Sequence, residues 1–202
     1  GVGKGRQAAA IIAWAVQQGK VPVFLTAGDT LYSDMYRDMR DIGKDNIDWI
    51  QPTNANFTIT DEEDRILLSH KDSEEDSSRI LTGIRDKLAA AGVDTTKPET
   101  FLPEGKKVIF STYDQLKGGG SGPRRATIEA ILATGNAVLI LDEAHKASGA
   151  SGVGGWLTTM LNTHKPPVTY LSATWAKRPD NLYVYSQTDI RLIAARFDDV
   201  VE

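Results

Sequence analysis

The residues best suited to chemistry are two adjacent carboxylates, Asp142 and Glu143, with His145 close behind them. They directly follow the apolar run at 137–141, which is typical of a strand buried on both faces of a sheet. Open α/β sheets bind ligands at the carboxyl ends of their strands, so both acids are expected at that edge. One acid suits a magnesium ion, and the other suits the activation of a water molecule.

A glycine-rich segment at the start of the chain provides the second set of candidates, namely Gly1, Gly3, Lys4, Gly5 and Arg6. It precedes the helix-forming residues 8–18, and backbone N–H groups at such a helix start bind phosphate while a lysine reaches the outer phosphates. Of the pattern G-x-x-x-x-G-K-[ST] only Gly3-Lys4 is present, so the chain is expected to start inside a phosphate loop. Gly5 stands where a hydroxyl normally ligates magnesium. A glycine-rich loop that caps an ordinary helix is the alternative.

Hydroxyl residues follow two further predicted strands. Thr112 lies near the end of a strand predicted at 106–113, and Ser172 and Thr174 follow a strand predicted at 167–171. Hydroxyls in such positions suit contacts with a nucleic-acid backbone. Capping of the next helix is the alternative, and the residues alone favour it.

The order of the predicted elements indicates the fold class. Apolar periodicity predicts helices at 8–18, 30–42, 124–133 and 156–161, and strands at 21–25, 47–50, 106–113, 137–141 and 167–171. Strands that alternate with helices favour an α/β fold with three α/β/α layers and a mostly parallel sheet. Residues 51–103, which contain an acidic run and an amphipathic helix predicted at 78–91, are interpreted as an insertion on the domain surface.

The composition indicates the class of protein but does not identify its binding partners. The 202 residues are 41% hydrophobic and 25% charged, which is typical of one globular domain. No apolar run reaches membrane-spanning length and no signal peptide is visible, so we expect a cytoplasmic protein, or a nuclear one in a eukaryote, that is neither secreted nor in a membrane. The absence of cysteine excludes disulfides and thiolate metal sites. The net charge of −4 comes from the acidic run, so charge does not decide the partner.

The order of these motifs resembles that of the first motor domain of superfamily 2 helicases and translocases. The resemblance implies that Lys4 holds the outer phosphates of ATP, that Asp142 holds Mg²⁺ and that Glu143 positions the attacking water. By the same resemblance, His145, Ser172 and Thr174 couple the nucleotide state to DNA or RNA. His145 then acts through hydrogen bonds, because the three histidines of the chain lack metal-ligand spacing.

A closer resemblance is to the strawberry notch family. It rests on four segments: Gly3–Gln7, Arg37–Gly43, Val108–Tyr113 and Asp142–Ala147. The first of them is similar to that family's variant phosphate loop, which also carries glycine in place of Ser or Thr. The resemblance implies that residues 1–202 form an N-terminal RecA-like ATPase motor domain, with a second RecA-like domain in the parent chain.

The expected function is therefore a nucleic-acid-dependent ATPase that uses ATP and Mg²⁺. The alternative is a nucleotide-binding regulatory scaffold without helicase activity. An intact Asp142-Glu143 pair favours the enzyme, because a scaffold has no need of a water-activating acid. A P-loop kinase fits poorly, since it does not account for His145 or for Ser172-Ala173-Thr174.

Overall fold

The computed structural model describes residues 3–28, 31–53, 57–60, 65–70, 88, 90–92, 96–117, 122–147 and 152–171. The helices are α1 (Lys4–Gln17), α2 (Leu31–Ile42), α3 (Gly122–Ala133) and α4 (Val153–His164). The strands are β1 (Val21–Thr26), β2 (Ile50–Pro52), β3 (Phe57–Thr60), β4 (Ile66–His70), β5 (Val108–Thr112), β6 (Ala137–Asp142) and β7 (Val168–Leu171).

Five strands form a parallel sheet in the order β2-β5-β1-β6-β7. The register pairs Thr26 at the end of β1 with Thr112 at the end of β5, and it pairs Asp142 at the end of β6 with Leu171 at the end of β7. The polar residues that end these strands therefore share one edge of the sheet. Strands β3 and β4 form a separate antiparallel pair.

Helices cover both faces of the sheet and make three layers. Alternate residues of β6 point to opposite faces, because successive side chains of a strand alternate. Val138 and Ile140 pack in the cluster formed with α1 and α2, whereas Leu139 and Leu141 pack in the cluster formed with α3 and α4. All of β1 and β6 is buried. The predicted three-layer α/β/α fold with a parallel sheet is confirmed.

The strand predicted at 47–50 is wrong. A 3₁₀ helix occupies Lys44–Trp49, and the strand β2 begins only at Ile50. The apolar residues Ile47 and Trp49 of this helix pack against the core cluster of α1 and α2. The strand begins where β5 offers a partner, because Ile50 is the first residue paired with it, opposite Val108.

The ends of the predicted insertion at 51–103 belong to the main fold. Gln51 and Pro52 lie in β2 of the central sheet, and Phe101 and Leu102 are buried in the cluster under α3 and α4. Between these ends lie β3 and β4, which the sequence analysis did not predict. Most of the helix predicted at 78–91 lies outside the described residues. Among the residues described, no helix is both long and apolar enough to cross a membrane.

Candidate functional site

The start of α1 sets the position of Lys4. Gly3 adopts a left-handed backbone conformation with φ 102°, which glycine reaches without steric cost, and its carbonyl accepts a hydrogen bond from the N–H of Gln7 at 3.0 Å. The apolar face of α1, which includes Ala8 and Ile12, is buried in the cluster on one face of the sheet. Because α1 runs into β1 through a short turn, its first residues lie beside the carboxyl ends of the strands.

Lys4 joins the two acids that the sequence singled out. Its Nζ lies 2.8 Å from Asp142 Oδ1 and donates a hydrogen bond of 3.0 Å to Glu143 Oε1. Burial alone would lower the pKa of Lys4, but its contacts with Asp142 and Glu143 outweigh that effect and raise the pKa. Burial alone would raise the pKa of Glu143, but Lys4, with help from nearby His145 and Lys146, holds this pKa below its usual range. Lys4 and Glu143 are therefore both charged at neutral pH in this ion-pair cluster.

Asp142 accepts hydrogen bonds from Thr26, at the end of β1, and from Tyr113, which follows β5. The hydroxyl of Thr26 donates a hydrogen bond of 2.9 Å to Asp142 Oδ2, and the hydroxyl of Tyr113 donates one of 2.8 Å to the Asp142 carbonyl oxygen. Asp142 itself is only 4% exposed. The bond from Thr26 orients the carboxylate so that Oδ1 points toward Lys4. A buried carboxylate that is fixed in this way is preorganised to bind a cation.

Glu143 has an unusual backbone conformation. Its φ of 51° and ψ of 46° lie in the left-handed region, which costs a residue with a side chain about 1 to 3 kcal/mol. Its N–H donates a hydrogen bond of 2.8 Å to the carbonyl of Leu171 at the end of β7, which holds the strained turn in place. The turn directs Oε1 to Lys4, while Oε2 lies 3.5 Å from Nε2 of the buried His145. Strain of this kind is found at functional sites, where the surrounding structure maintains it.

The donors at this edge of the sheet fit a magnesium ion. Within the described residues, Asp142 Oδ1 is buried and accepts no hydrogen bond of good geometry, and the Lys4 ammonium lies 2.8 Å from it. No group of three or more acids, histidines or cysteines arranged around a metal position occurs among the described residues. Magnesium does not need one, because it usually binds through one or two carboxylates together with phosphate oxygens and water. Asp142 thus has the chemistry of a magnesium ligand, and its role in holding Mg²⁺ stays a prediction.

A cavity of about 370 Å³ opens beside this cluster. Its volume lies within the range of small-molecule sites, which is roughly 300 to 1,000 Å³. The predicted phosphate-binding residues Gly3, Lys4, Gly5 and Arg6 border it on one side, and Asp142 borders it on another. Arg6 extends outward, with a side chain 75% exposed and 3.9 Å from both Asp38 Oδ1 and Asp41 Oδ2.

The predicted coupling residues fall into two groups. Thr112 is 5% exposed, and its hydroxyl accepts a hydrogen bond of 3.3 Å from the backbone N–H of Gln115, so it caps the turn after β5. His145 is 7% exposed and touches the ion-pair cluster through Glu143. Ser172 and Thr174 lie outside the described residues, as does Gly1. The nucleic-acid role of these coupling residues stays a prediction.

Three residues of the site were missed by the sequence analysis, which gave Thr26, Tyr113 and Asp38 no role. The structure places Thr26 and Tyr113 against Asp142, and Asp38 on the wall of the cavity. A signal for Thr26 was present, because a polar residue that ends an apolar strand belongs at the same edge of the sheet as Asp142. Asp38 had a weaker signal, namely its helical spacing from Asp34 and Asp41.

Comparison with known proteins agrees with this geometry. Neither the curated proteins nor the solved structures include a significant match to the chain. Residues 1–195 match a protein family described as P-loop containing NTP hydrolase pore-1. That match covers both Lys4 and the acids Asp142 and Glu143, which the fold brings together. The chain belongs to this family of P-loop NTP hydrolases.

Proposed function

We propose that residues 1–202 form the first RecA-like motor domain of a superfamily 2 type ATPase, similar to the strawberry notch family, which acts on DNA or RNA. The observation that carries the proposal is the joint contact of Lys4 with Asp142 and Glu143 at the carboxyl edge of a parallel sheet. A phosphate-binding lysine, a magnesium-binding acid and a water-activating acid are the groups that ATP hydrolysis requires. Membership of the NTP hydrolase family supports the same chemistry.

Each residue has a defined task in the proposed reaction. Lys4 and the backbone N–H groups at the start of α1 bind the outer phosphates of ATP. Asp142, held by Thr26, would ligate Mg²⁺, which when bound neutralises charge on the phosphate oxygens. Glu143 accepts a proton from water as the water oxygen attacks the γ-phosphorus and the bond to the β–γ bridging oxygen breaks, giving ADP and phosphate.

The electrostatics of the cluster suit this task. The pKa of Glu143 lies below its usual range because of Lys4, so its carboxylate is ionised at neutral pH, and loss of the Lys4 contact would raise this pKa and make Glu143 a stronger base. In the structure this carboxylate accepts a hydrogen bond from the Lys4 ammonium. We infer that phosphates compete for Lys4 and so release Glu143 toward water. Hydrolysis would then require bound nucleotide, because its phosphates release the Glu143 carboxylate that acts as the base.

The action on nucleic acid rests on the order of the motifs rather than on a contact in the described residues. His145 lies against Glu143 through Nε2 and Oε2 at 3.5 Å, so a movement of His145 would change the environment of the proposed base. We infer that nucleic acid, together with a second RecA-like domain, acts on the site through this histidine and through Ser172 and Thr174. The segment around 51–103 is proposed to be a family-variable addition to the motor domain.

The test is ATP hydrolysis by the full-length protein with single- and double-stranded DNA and RNA, each compared with Glu143→Gln. Hydrolysis that rises with one nucleic acid and is lost in the variant supports the motor function and identifies its substrate class. If ATP binds but no condition gives turnover above the variant, the motor function is wrong and the protein acts as a nucleotide-binding scaffold. The Glu143→Gln protein is a suitable baseline because the substitution preserves the shape of the side chain.

A further inference from the structure

The phosphate loop lacks one standard ligand at Gly5. The loop pattern places Ser or Thr directly after the lysine, and the hydroxyl of that residue binds magnesium. Gly5 follows Lys4 here and has no side chain. Magnesium ligation in this chain therefore needs an oxygen atom from another residue, or one ligand fewer from the protein.

The carboxylate of Asp38 occupies the space beside Gly5. A Cβ atom built on Gly5 would lie 3.0 Å from Asp38 Cγ and would overlap Asp38 Oδ2. Real Cβ atoms do not approach other atoms so closely, so any side chain at position 5 must displace this carboxylate. Glycine at position 5 thus leaves the space that the Asp38 carboxylate on α2 occupies.

Packing of α2 against α1 holds Asp38 in this position. Met35 and Met39 of α2 are buried in the same cluster as Ala8 and Ile12 of α1. Asp38 lies on the same helix, one residue from the buried Met39 and at the border of the contact between the two helices. Its side chain is only 23% exposed, and it lines the cavity that Lys4 and Asp142 also line. The acid therefore faces the proposed nucleotide site rather than bulk solvent.

The charges around Asp38 leave room for a cation. Burial raises the pKa of Asp38, and the neighbouring acids Asp41 and Asp34 raise it further, while Arg6 and Arg37 lower it. The net direction is upward, so these arginines do not compensate fully for burial and the nearby acids. Arg6 makes only a long ion pair with Asp38, at 3.9 Å. A divalent cation beside Asp38 would supply the missing positive charge.

We propose that Asp38 supplies the magnesium ligand that Gly5 cannot, so that Asp38 and Asp142 together hold the magnesium ion of bound ATP. The proposal rests on the nucleotide-binding function proposed above. A carboxylate in place of a hydroxyl keeps an oxygen ligand and adds a negative charge. Two carboxylates, phosphate oxygens and water form a donor set that magnesium accepts. The alternative role for Asp38 is a purely structural ion pair with Arg6.

The ligand role and the structural role of Asp38 predict different effects when substitutions at positions 5 and 38 are combined. In the Asp38→Ala variant the ligand is lost and space opens beside Gly5. Adding Gly5→Ser to that variant places a hydroxyl in the vacated space, as in the usual phosphate loop. Adding Gly5→Ala fills the same space without an oxygen atom. Asp41→Ala is the matched control, because Asp41 lies on the same helix, lines the same cavity and also pairs with Arg6 at 3.9 Å.

The measurement is the affinity of the full-length protein for a fluorescent ATP analogue in Mg²⁺ and in EDTA, with Mn²⁺ binding followed by electron paramagnetic resonance. Asp38→Ala should reduce the gain in affinity that Mg²⁺ provides by about tenfold or more, with little loss of affinity in EDTA. Asp41→Ala should retain the gain. Gly5→Ser with Asp38→Ala should restore the gain, whereas Gly5→Ala with Asp38→Ala should not. A thermal melt of each variant shows that the protein is folded.

Three results would overturn the proposal, and they are distinguishable. If Asp38→Ala is folded and keeps the full effect of Mg²⁺, Asp38 is not a ligand, while the nucleotide-binding function stands. If the wild-type protein binds the analogue in neither Mg²⁺ nor EDTA, the proposed function fails and the magnesium assignment fails with it. Equal restoration by serine and alanine at position 5 would show that filling the space, rather than an oxygen ligand, is what matters.

Discussion

Lys4 and Glu143 are separated by 139 positions in the chain, yet Lys4 Nζ donates a hydrogen bond of 3.0 Å to Glu143 Oε1. The contact joins the residue proposed to bind phosphate to the residue proposed to activate water. Each charge stabilises the other, as the raised pKa of Lys4 and the lowered pKa of Glu143 show. In the proposed reaction, phosphate binding and release of the base would be coupled through this one ammonium group.

Replacement of Lys4 should weaken nucleotide binding. Hydrogen bonds to charged groups contribute about 1.5 to 3 kcal/mol, so Lys4→Ala should reduce the affinity for an ATP analogue by roughly 10- to 100-fold. Fluorescence titration in Mg²⁺ measures the effect. Lys20→Ala is the control, since Lys20 follows the far end of α1, with its Nζ 5.7 Å from the centre of the Trp14 ring. Equal affinities for wild type and Lys4→Ala would contradict the phosphate-binding role.

Replacement of Glu143 by glutamine should separate binding from hydrolysis. General-base catalysis contributes typically about 10²- to 10⁴-fold, so turnover should fall by that factor. Nucleotide affinity should stay the same or increase, because a negative charge near the phosphates is removed. A time course of phosphate release measures turnover, and equilibrium binding measures nucleotide affinity. Glu129→Gln, at an exposed position of α3, is the control and should leave both unchanged. Undiminished turnover in Glu143→Gln would exclude Glu143 as the base.

The Lys4–Glu143 contact should make stability depend on pH in a defined direction. Because the pKa of Glu143 is lower in the folded protein, the unfolded chain takes up the proton first as pH falls. Its contribution to the free energy of unfolding is present above the unfolded pKa, about 4.3, and is lost as pH falls through the folded pKa. The raised pKa of Lys4 acts oppositely, so its contribution is lost as pH rises through that pKa.

Urea unfolding of wild type and Glu143→Gln between pH 7 and pH 3 measures this effect. The difference in the free energy of unfolding between the two proteins should be largest near neutral pH and should shrink toward acid pH. Glu104→Gln serves as the control here, because Glu104 is exposed and no ion pair at this residue is found in the described part of the chain. A constant difference across this pH range would show that the Lys4 contact does not stabilise the fold.

Thr26→Val should mainly affect the position of Asp142. The hydroxyl of Thr26 is buried and donates to Asp142 Oδ2, so its loss leaves an acceptor without its donor at a cost of about 1 to 3 kcal/mol. Valine preserves the shape of the strand residue, so the fold should remain. We expect lower thermal stability and weaker Mg²⁺ dependence of nucleotide binding. The control is Thr169→Val in β7, where the side chain is only partly buried. An unchanged Mg²⁺ dependence would show that Thr26 does not orient Asp142.

The fold was predictable because its strands and helices carry strong local signals. The continuous apolar residues of β1 and β6 are typical of strands buried on both faces, and the structure buries every residue of both. Alternation with helices predicted the parallel sheet and its two covered faces. The prediction failed at 47–50, where the same apolar pattern belongs to a 3₁₀ helix that packs inward. A short apolar run shows that side chains are buried, but it does not distinguish a strand from a helical turn.

The candidate site was predictable in its types of residue and less so in its contacts. Asp142, Glu143 and Lys4 were identified from their positions after a strand and before a helix. The supports from Thr26 and Tyr113 depend on the order of the strands, which places β1 between β5 and β6. Local patterns carry no information about that order, since it follows from long-range packing. The same reasoning explains why Asp38, on a separate helix, was matched to a motif but given no role.

The three-layer class, the acids at the end of a buried strand and the glycine at position 5 can all be read from the sequence, because each is a local property of the chain. Which groups meet is visible only in the folded chain. Folding brings Lys4 to Asp142 and Glu143, directs Glu143 through a left-handed turn, and places the Asp38 carboxylate in the space beside Gly5. These contacts join residues far apart in the chain, and their distances are fixed by the packing of α1 and α2 on the sheet.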